Sequence, residues 1–153
     1  MILGLDCATK TGWAVCEGGK ILESGVQDFT KKRGDSNGMM FLRYRQWLSE
    51  MLYTYKVSLC VYEQAHHRGG AATEICVNLT GRVQEECDRL KIEYATVHTG
   101  TLKKFATGSG SAKKPEIMAA AEKIIGRPPI DDNEADAIFI SLWAHNEYQK
   151  ENK

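Results

Sequence analysis

Two short, almost wholly apolar runs each end in an acid: Met1-Ile-Leu-Gly-Leu before Asp6, and Val57-Ser-Leu-Cys-Val-Tyr before Glu63. Runs of this length with apolar residues at successive positions suit interior strands covered on both faces. The chain must therefore build a sheet with helices on both sides. A carboxylate where such a strand surfaces is costly unless it is solvated, paired or bound to a cation. In sheets of this kind, sites collect at the carboxyl ends of the strands.

The flanking sequence fills in the rest of the fold. Thr11-Gly-Trp-Ala-Val-Cys16 reads as a hairpin partner of the first strand, and the Gly18-Gly19 turn leads to a third strand over 20–29. These three form an antiparallel meander. After a polar loop over 31–38, Phe41, Tyr44, Leu48, Met51 and Tyr55 recur at helical spacing. A second helix follows the Glu63 strand and a loop at 66–70, with Cys76, Leu79, Val83, Cys87 and Leu90 on one side. A short strand over 92–97 leads into a glycine-containing basic loop. The next helix runs from Pro115 to Ile125 with Gly126 as its cap. A last helix carries Ala135, Ile138, Leu142 and Asn146 in phase. The order β-β-β-α-β-α-β-α-α is that of an α/β protein, a mixed five-stranded sheet flanked by helices.

At 153 residues and 42% hydrophobic content, one domain spanning 1–153 is expected. Twenty basic and twenty acidic residues cancel, so overall charge does not mark a nucleic-acid binder. Their distribution says more. No acid falls between Glu93 and Glu116, whereas Lys103, Lys104, Lys113 and Lys114 do, which suggests a local basic face. Asp6 interrupts the apolar opening, against a secretory signal, and no segment is long and apolar enough to span a membrane. Cys7, Cys16, Cys60, Cys76 and Cys87 form an odd set without a C-x-x-C pair, as in a cytoplasmic protein with reduced thiols.

A third acidic group, Asp131-Asp-Asn-Glu-Ala-Asp136, opens the last helix. Asp131 and Glu134 have the spacing of a capping box, which accounts for two of its acids. Asp132 and Asp136 remain, four apart on one helix face, where like charges repel unless a cation neutralises them. Asp6, Glu63 and this pair, held on rigid elements, suit a site for divalent cations and phosphodiester chemistry. A metal-dependent nuclease is the reading these residues favour.

The hairpin opening Ile2-Leu-Gly-Leu-Asp6-Cys-Ala-Thr-Lys-Thr-Gly12-Trp-Ala-Val15 carries a family resemblance. So do Tyr62-Glu63-Gln64, Gly108-Ser-Gly-Ser-Ala-Lys-Lys114 and Glu134-Ala-Asp136-Ala137. Together, in this order, they resemble RuvC-type Holliday-junction resolvases, particularly the short phage and prophage forms. The resemblance implies an RNase H-like fold, Mg2+- or Mn2+-dependent cutting of four-way DNA junctions, and a homodimer with sites on opposite strands. It maps Asp6, Glu63 and Asp136 onto metal ligands and Lys114 onto a lysine near the scissile phosphate. Two ions about 4 Å apart would activate a water and stabilise the leaving 3′ oxygen.

The chain departs from the family where a further acid or histidine stands three residues before the last Asp, because here that position is Asn133. Asp132 is the charged substitute taken here, with Asn133 the alternative. Lys103, Lys104, Lys113 and Lys114 are candidate phosphate contacts, and His66, His67 and Arg68 candidate junction contacts beside the Glu63 strand. Trp13, Trp47 and Trp143 read as packing residues. A related RNA-processing nuclease and a junction-binding protein without catalysis are the alternatives. An actin-like ATPase would need a second domain and a second phosphate hairpin, for which the chain has no repeat.

Overall fold

The computed structural model describes residues 1–65 and 69–149. Its sheet is centred on β1 (Ile2–Asp6), which pairs antiparallel with β2 (Lys10–Glu17) and parallel with β4 (Leu59–Glu63). β3 (Lys20–Asp28) extends the meander on one side and β5 (Glu93–Val97) the parallel half on the other, giving the order β3-β2-β1-β4-β5. The β2–β3 turn uses Gly18 and Gly19 at φ of 60° and 82°. Positive φ at both central residues of a two-residue hairpin matches the twist of the strands it joins.

Among the described residues, two helices cover one face and three the other. α1 (Asn37–Thr54) and α2 (Ala71–Arg89) bury Tyr44, Leu48, Leu79, Val83 and Cys87 against Leu3, Leu5, Val15, Cys60 and Tyr62. The deepest line of α1 is Met40, Tyr44, Leu48 and Leu52. The expected line of Phe41, Met51 and Tyr55 lies on its half-buried flank, because both series share Tyr44 and Leu48 and only packing chooses between them. Trp13 and Trp47 pack against this same core, as their setting in the sequence suggests.

On the opposite face, α3 (Thr99–Thr107), α4 (Lys114–Ile125) and α5 (Asp132–Tyr148) cover Ile2, Ala14, Cys16, Val61 and Val97. α3 corrects the sequence reading, which makes this stretch a loop. Its nine residues bury Leu102 and lean Ala106 on the core, too few apolar positions to stand out beside Gly100 and Gly108. Gly108 is in fact the left-handed cap that ends it, its amide donating to the Lys104 carbonyl at 2.7 Å. α4 begins and ends as expected, with Pro115 in its first turn and Gly126 at φ 76°.

α5 lies directly on the sheet. A Cβ on Gly4 would come within 2.6 Å of the Ala137 carbonyl, and one on Gly12 would overlap the Asn133 carbonyl. The two glycines therefore let the helix backbone meet the strand backbone. α5 also packs against β3, β4, α3 and α4. It accordingly buries Ala135, Ala137, Ile138, Phe139, Ile140, Ser141 and Ala144, a wider surface than one stripe, while Leu142 and Asn146 are only half-buried. All five cysteines are free thiols, four of them buried. Among the described residues, no helix is long and apolar enough to cross a membrane.

Candidate metal centre

Strand alternation aims two of the acids. Leu3 and Leu5 point to the α1–α2 side, so Ile2, Gly4 and Asp6 point toward α5. On β4, Cys60 and Tyr62 face α1 and α2, which leaves Leu59, Val61 and Glu63 on the α5 side. The parallel register pairs Leu5 with Tyr62, so Asp6 and Glu63 end their strands level with each other. Asp136, one turn into α5, completes the group. One carboxylate oxygen from each of Asp6, Glu63 and Asp136 lies within 4.8 Å of the others.

Three half-buried carboxylates at this spacing repel one another when ionised. Burial, followed by the charges of Asp136 and Glu63, pushes the Asp6 carboxyl well above the usual carboxylate range. Burial and the charge of Glu63 push Asp136 up to about 7, with Asp132 adding to the rise and the Asp6 hydrogen bond and Lys114 opposing it. Glu63 also accepts a hydrogen bond from the Thr99 hydroxyl at the start of α3. An all-oxygen donor set with crowded negative charge fits a hard divalent cation, and three carboxylates leave room for the water ligands that Mg2+ retains.

The fourth position divides between two neighbours. Asp132 shares a helix face with Asp136, contributes to the rise at both Asp6 and Asp136, and sits 3.2 Å from the Lys114 ammonium. Asn133 turns to β2, where its side-chain amide donates to the Lys10 carbonyl at 2.7 Å.

A cleft of about 410 Å³ adjoins the acids, lined by Asp132 and Asp136 on one side and Thr99, Lys103, Lys113 and Lys114 among the others. Three of the four lysines singled out in the sequence thus meet at one opening. Lys104 is exposed on α3 but does not line it. His66, His67 and Arg68 lie outside the described residues. Larger grooves open elsewhere, around Ile2 and Tyr148 and around Tyr53 and Leu90, without the clustered acids.

Two residues beside the centre escape the sequence reading. Thr99 carries no signal once its segment is taken as a loop. Glu134 is only half of a capping box: Asp131 caps α5 by accepting from the Glu134 amide at 2.9 Å, but the Glu134 carboxylate turns away. It accepts instead from the Ile130 amide, Ser24 and Arg127. Arg127 is seven residues away and Ser24 over a hundred, so no local pattern points to the network.

No family model matches the sequence. The crossover junction endodeoxyribonuclease RuvC of Rickettsia akari (strain Hartford) is 25% identical over 153 residues, covering 95% of this chain and 96% of that protein. Among solved structures, Thermus thermophilus RuvC in complex with a Holliday junction substrate superposes with a TM-score of 0.81. It is 19% identical and the match covers 99% of this chain and 95% of that one. The yeast mitochondrial Holliday junction resolvase is more distant, with a TM-score of 0.59 and 14% identity over 99% of this chain and 86% of that one. The expected RNase H-like sheet and its flanking helices are therefore shared with the RuvC fold.

Proposed function

We propose that this chain, RuvC-type in sequence and fold, is a structure-specific DNA endonuclease that resolves four-way junctions by divalent-metal-dependent phosphodiester hydrolysis. The observation that carries this reading is the meeting of Asp6, Glu63 and Asp136 at the edge of a cleft lined by lysines. Mg2+ is the cation proposed, with Mn2+ able to substitute. Divalent cations held there would activate water for attack on a phosphate and stabilise the departing 3′ oxygen.

The chain's own groups take separate parts. Asp6, on the central strand, Glu63 and Asp136 would hold the cation, with Asp132 as the further ligand. Asp6 and Asp136 give up protons as the site is loaded, since their carboxyls are held above the usual range by burial and mutual repulsion. Lys114 has a side chain 80% exposed, so its ammonium can move from Asp132 to a phosphate oxygen as DNA enters. Lys103 and Lys113 hold neighbouring phosphates from the cleft walls, and Lys104 adds charge outside it. His66, His67 and Arg68, which follow the Glu63 strand in the sequence, remain proposed junction contacts.

Symmetrical resolution requires two cuts, which a homodimer with one centre per protomer supplies. The free cysteines fit a reducing compartment such as the cytoplasm. Cleavage of a four-way junction in Mg2+, compared with linear duplex and structured RNA, tests the assignment. Cleavage of the junction with the duplex spared is the expected result. Preferential cutting of RNA would replace it with the RNA-processing alternative, and binding without cutting would make the chain a junction-binding protein.

A further inference from the structure

Glu134 is a fully buried acid two residues before Asp136, and the metal centre does not use it. Its two oxygens accept four hydrogen bonds: from Arg127 at 2.6 and 3.1 Å, from the Ser24 hydroxyl at 2.7 Å and from the Ile130 amide at 2.7 Å. Arg127 also donates to the Ser24 carbonyl at 3.4 Å and the Pro128 carbonyl at 3.1 Å. One carboxylate thus joins β3, the α4–α5 connection and the first turn of α5. We propose that Arg127, Glu134 and Ser24 are positioning residues for the metal centre, fixing where along the sheet α5 presents Asp136 and Asp132. This rests on reading Asp6, Glu63 and Asp136 as metal ligands.

Two physical points favour positioning over simple stabilisation. A buried ion pair is a poor source of stability, because apolar side chains of similar volume usually do as well or better. What it supplies is direction, since a carboxylate with four donors accepts only one placement. The contact of α5 with β1 and β2 is also made over Gly4 and Gly12, which have no side chains to stop the helix sliding. A further tie in its first turn to the sheet is the bond from Asn133 to the Lys10 carbonyl. Metal ligands must be held to within roughly half an ångström, so a constraint two residues from Asp136 acts directly on the site.

The test separates fold from placement by removing both charges together. In the double variant Arg127→Leu with Glu134→Leu, thermal stability in EDTA is expected to stay near that of the parent. Mn2+ affinity measured calorimetrically without DNA should fall about tenfold or more, as for other groups that orient metal ligands. Turnover on the junction should fall with KM little changed, and Arg127→Lys, which keeps a charge on Glu134, should recover part of the affinity. A folded double variant binding Mn2+ within roughly twofold of the parent overturns the proposal, since loss of such a group costs about tenfold or more. If the double variant does not fold, Ser24→Ala decides, because it removes one donor and leaves the ion pair. Weaker Mn2+ binding supports positioning and unchanged binding overturns it. A parent that binds no Mn2+ refutes the metal-centre reading itself, an outcome distinct from an indifferent variant of a parent that does.

Discussion

Glu134 and Asp136 stand two residues apart at the start of α5, yet their surroundings move their carboxyl groups in opposite directions. Burial alone would raise both. At Glu134 that rise is outweighed by Arg127, the Ile130 amide and Ser24, so the acid ends below its usual range. At Asp136 burial and the charges of Glu63 and Asp132 outweigh the opposing Asp6 hydrogen bond and Lys114, and the carboxyl rises to about 7. The first is an acid whose charge the protein has already satisfied. The second sits in a cluster of carboxylates whose mutual repulsion a bound cation would relieve. That difference distinguishes a structural acid from a candidate ligand more sharply than position or burial does.

The largest expected effect comes from removing a carboxylate of that cluster. Asp6→Asn, Glu63→Gln and Asp136→Asn should each lower junction cleavage by at least about a hundredfold while junction binding, which rests on phosphate contacts, persists. Turnover above roughly a tenth of the parent rate in all three would contradict a carboxylate metal centre, where losses of a hundredfold or more are expected. The same substitutions at Asp6 and Asp136 should stabilise the protein in EDTA, because each relieves repulsion.

The two acids should also divide the pH dependence of stability. A carboxyl raised in the folded state favours folding while it holds its proton, and that advantage is lost as pH rises through the folded value. For Asp136 the window ends at about 7. Glu134 has the opposite sign: its contribution is complete above the usual Glu range and is lost as pH falls through its lowered value. In EDTA, melting temperature should therefore decline from about pH 5 toward pH 7. Added Mg2+ should raise the melting temperature more at pH 8 than at pH 6. A larger rise at pH 6 would contradict the assignment of the shifts.

Asp132 faces the centre but is paired with Lys114. Asp132→Asn should raise the Mg2+ concentration for half-maximal cleavage several-fold, whereas Asn133→Ala, which cuts only the tie to Lys10, should shift it less. The reverse order would identify Asn133 as the ligand. The smallest effects belong to the lysines. Lys103→Ala and Lys113→Ala should each reduce the salt slope of junction binding by about one unit, and Lys104→Ala by less. Equal reductions at all three would show that lining the cleft is not what matters.

Much of this contrast was open to a reader of the sequence, and the missing part has a common cause. The apolar runs before Asp6 and Glu63 announce buried strands, and period-two alternation then aims both acids at one face. The spacing of Asp132 and Asp136 is likewise local. Satisfaction of Glu134 depends on Arg127 and Ser24, brought together only by tertiary folding, so its spacing from Asp131 suggests a capping box that the structure completes only on the Asp131 side. Gly4 and Gly12 look like ordinary strand and turn residues until α5 is laid on them. α3 is short and has a small buried face, which hides it between glycines and leaves Thr99 unremarked. Local pattern identifies where charge is placed; long-range contact decides whether it is satisfied.

Calorimetric titration of the metal-free protein with Mn2+ at pH 7, in two buffers of different ionisation enthalpy, tests the proposed metal centre most directly. The account predicts binding accompanied by proton release, both strongly reduced in Asp6→Asn. Binding without proton release, or binding that Asp6→Asn leaves unchanged, would contradict it.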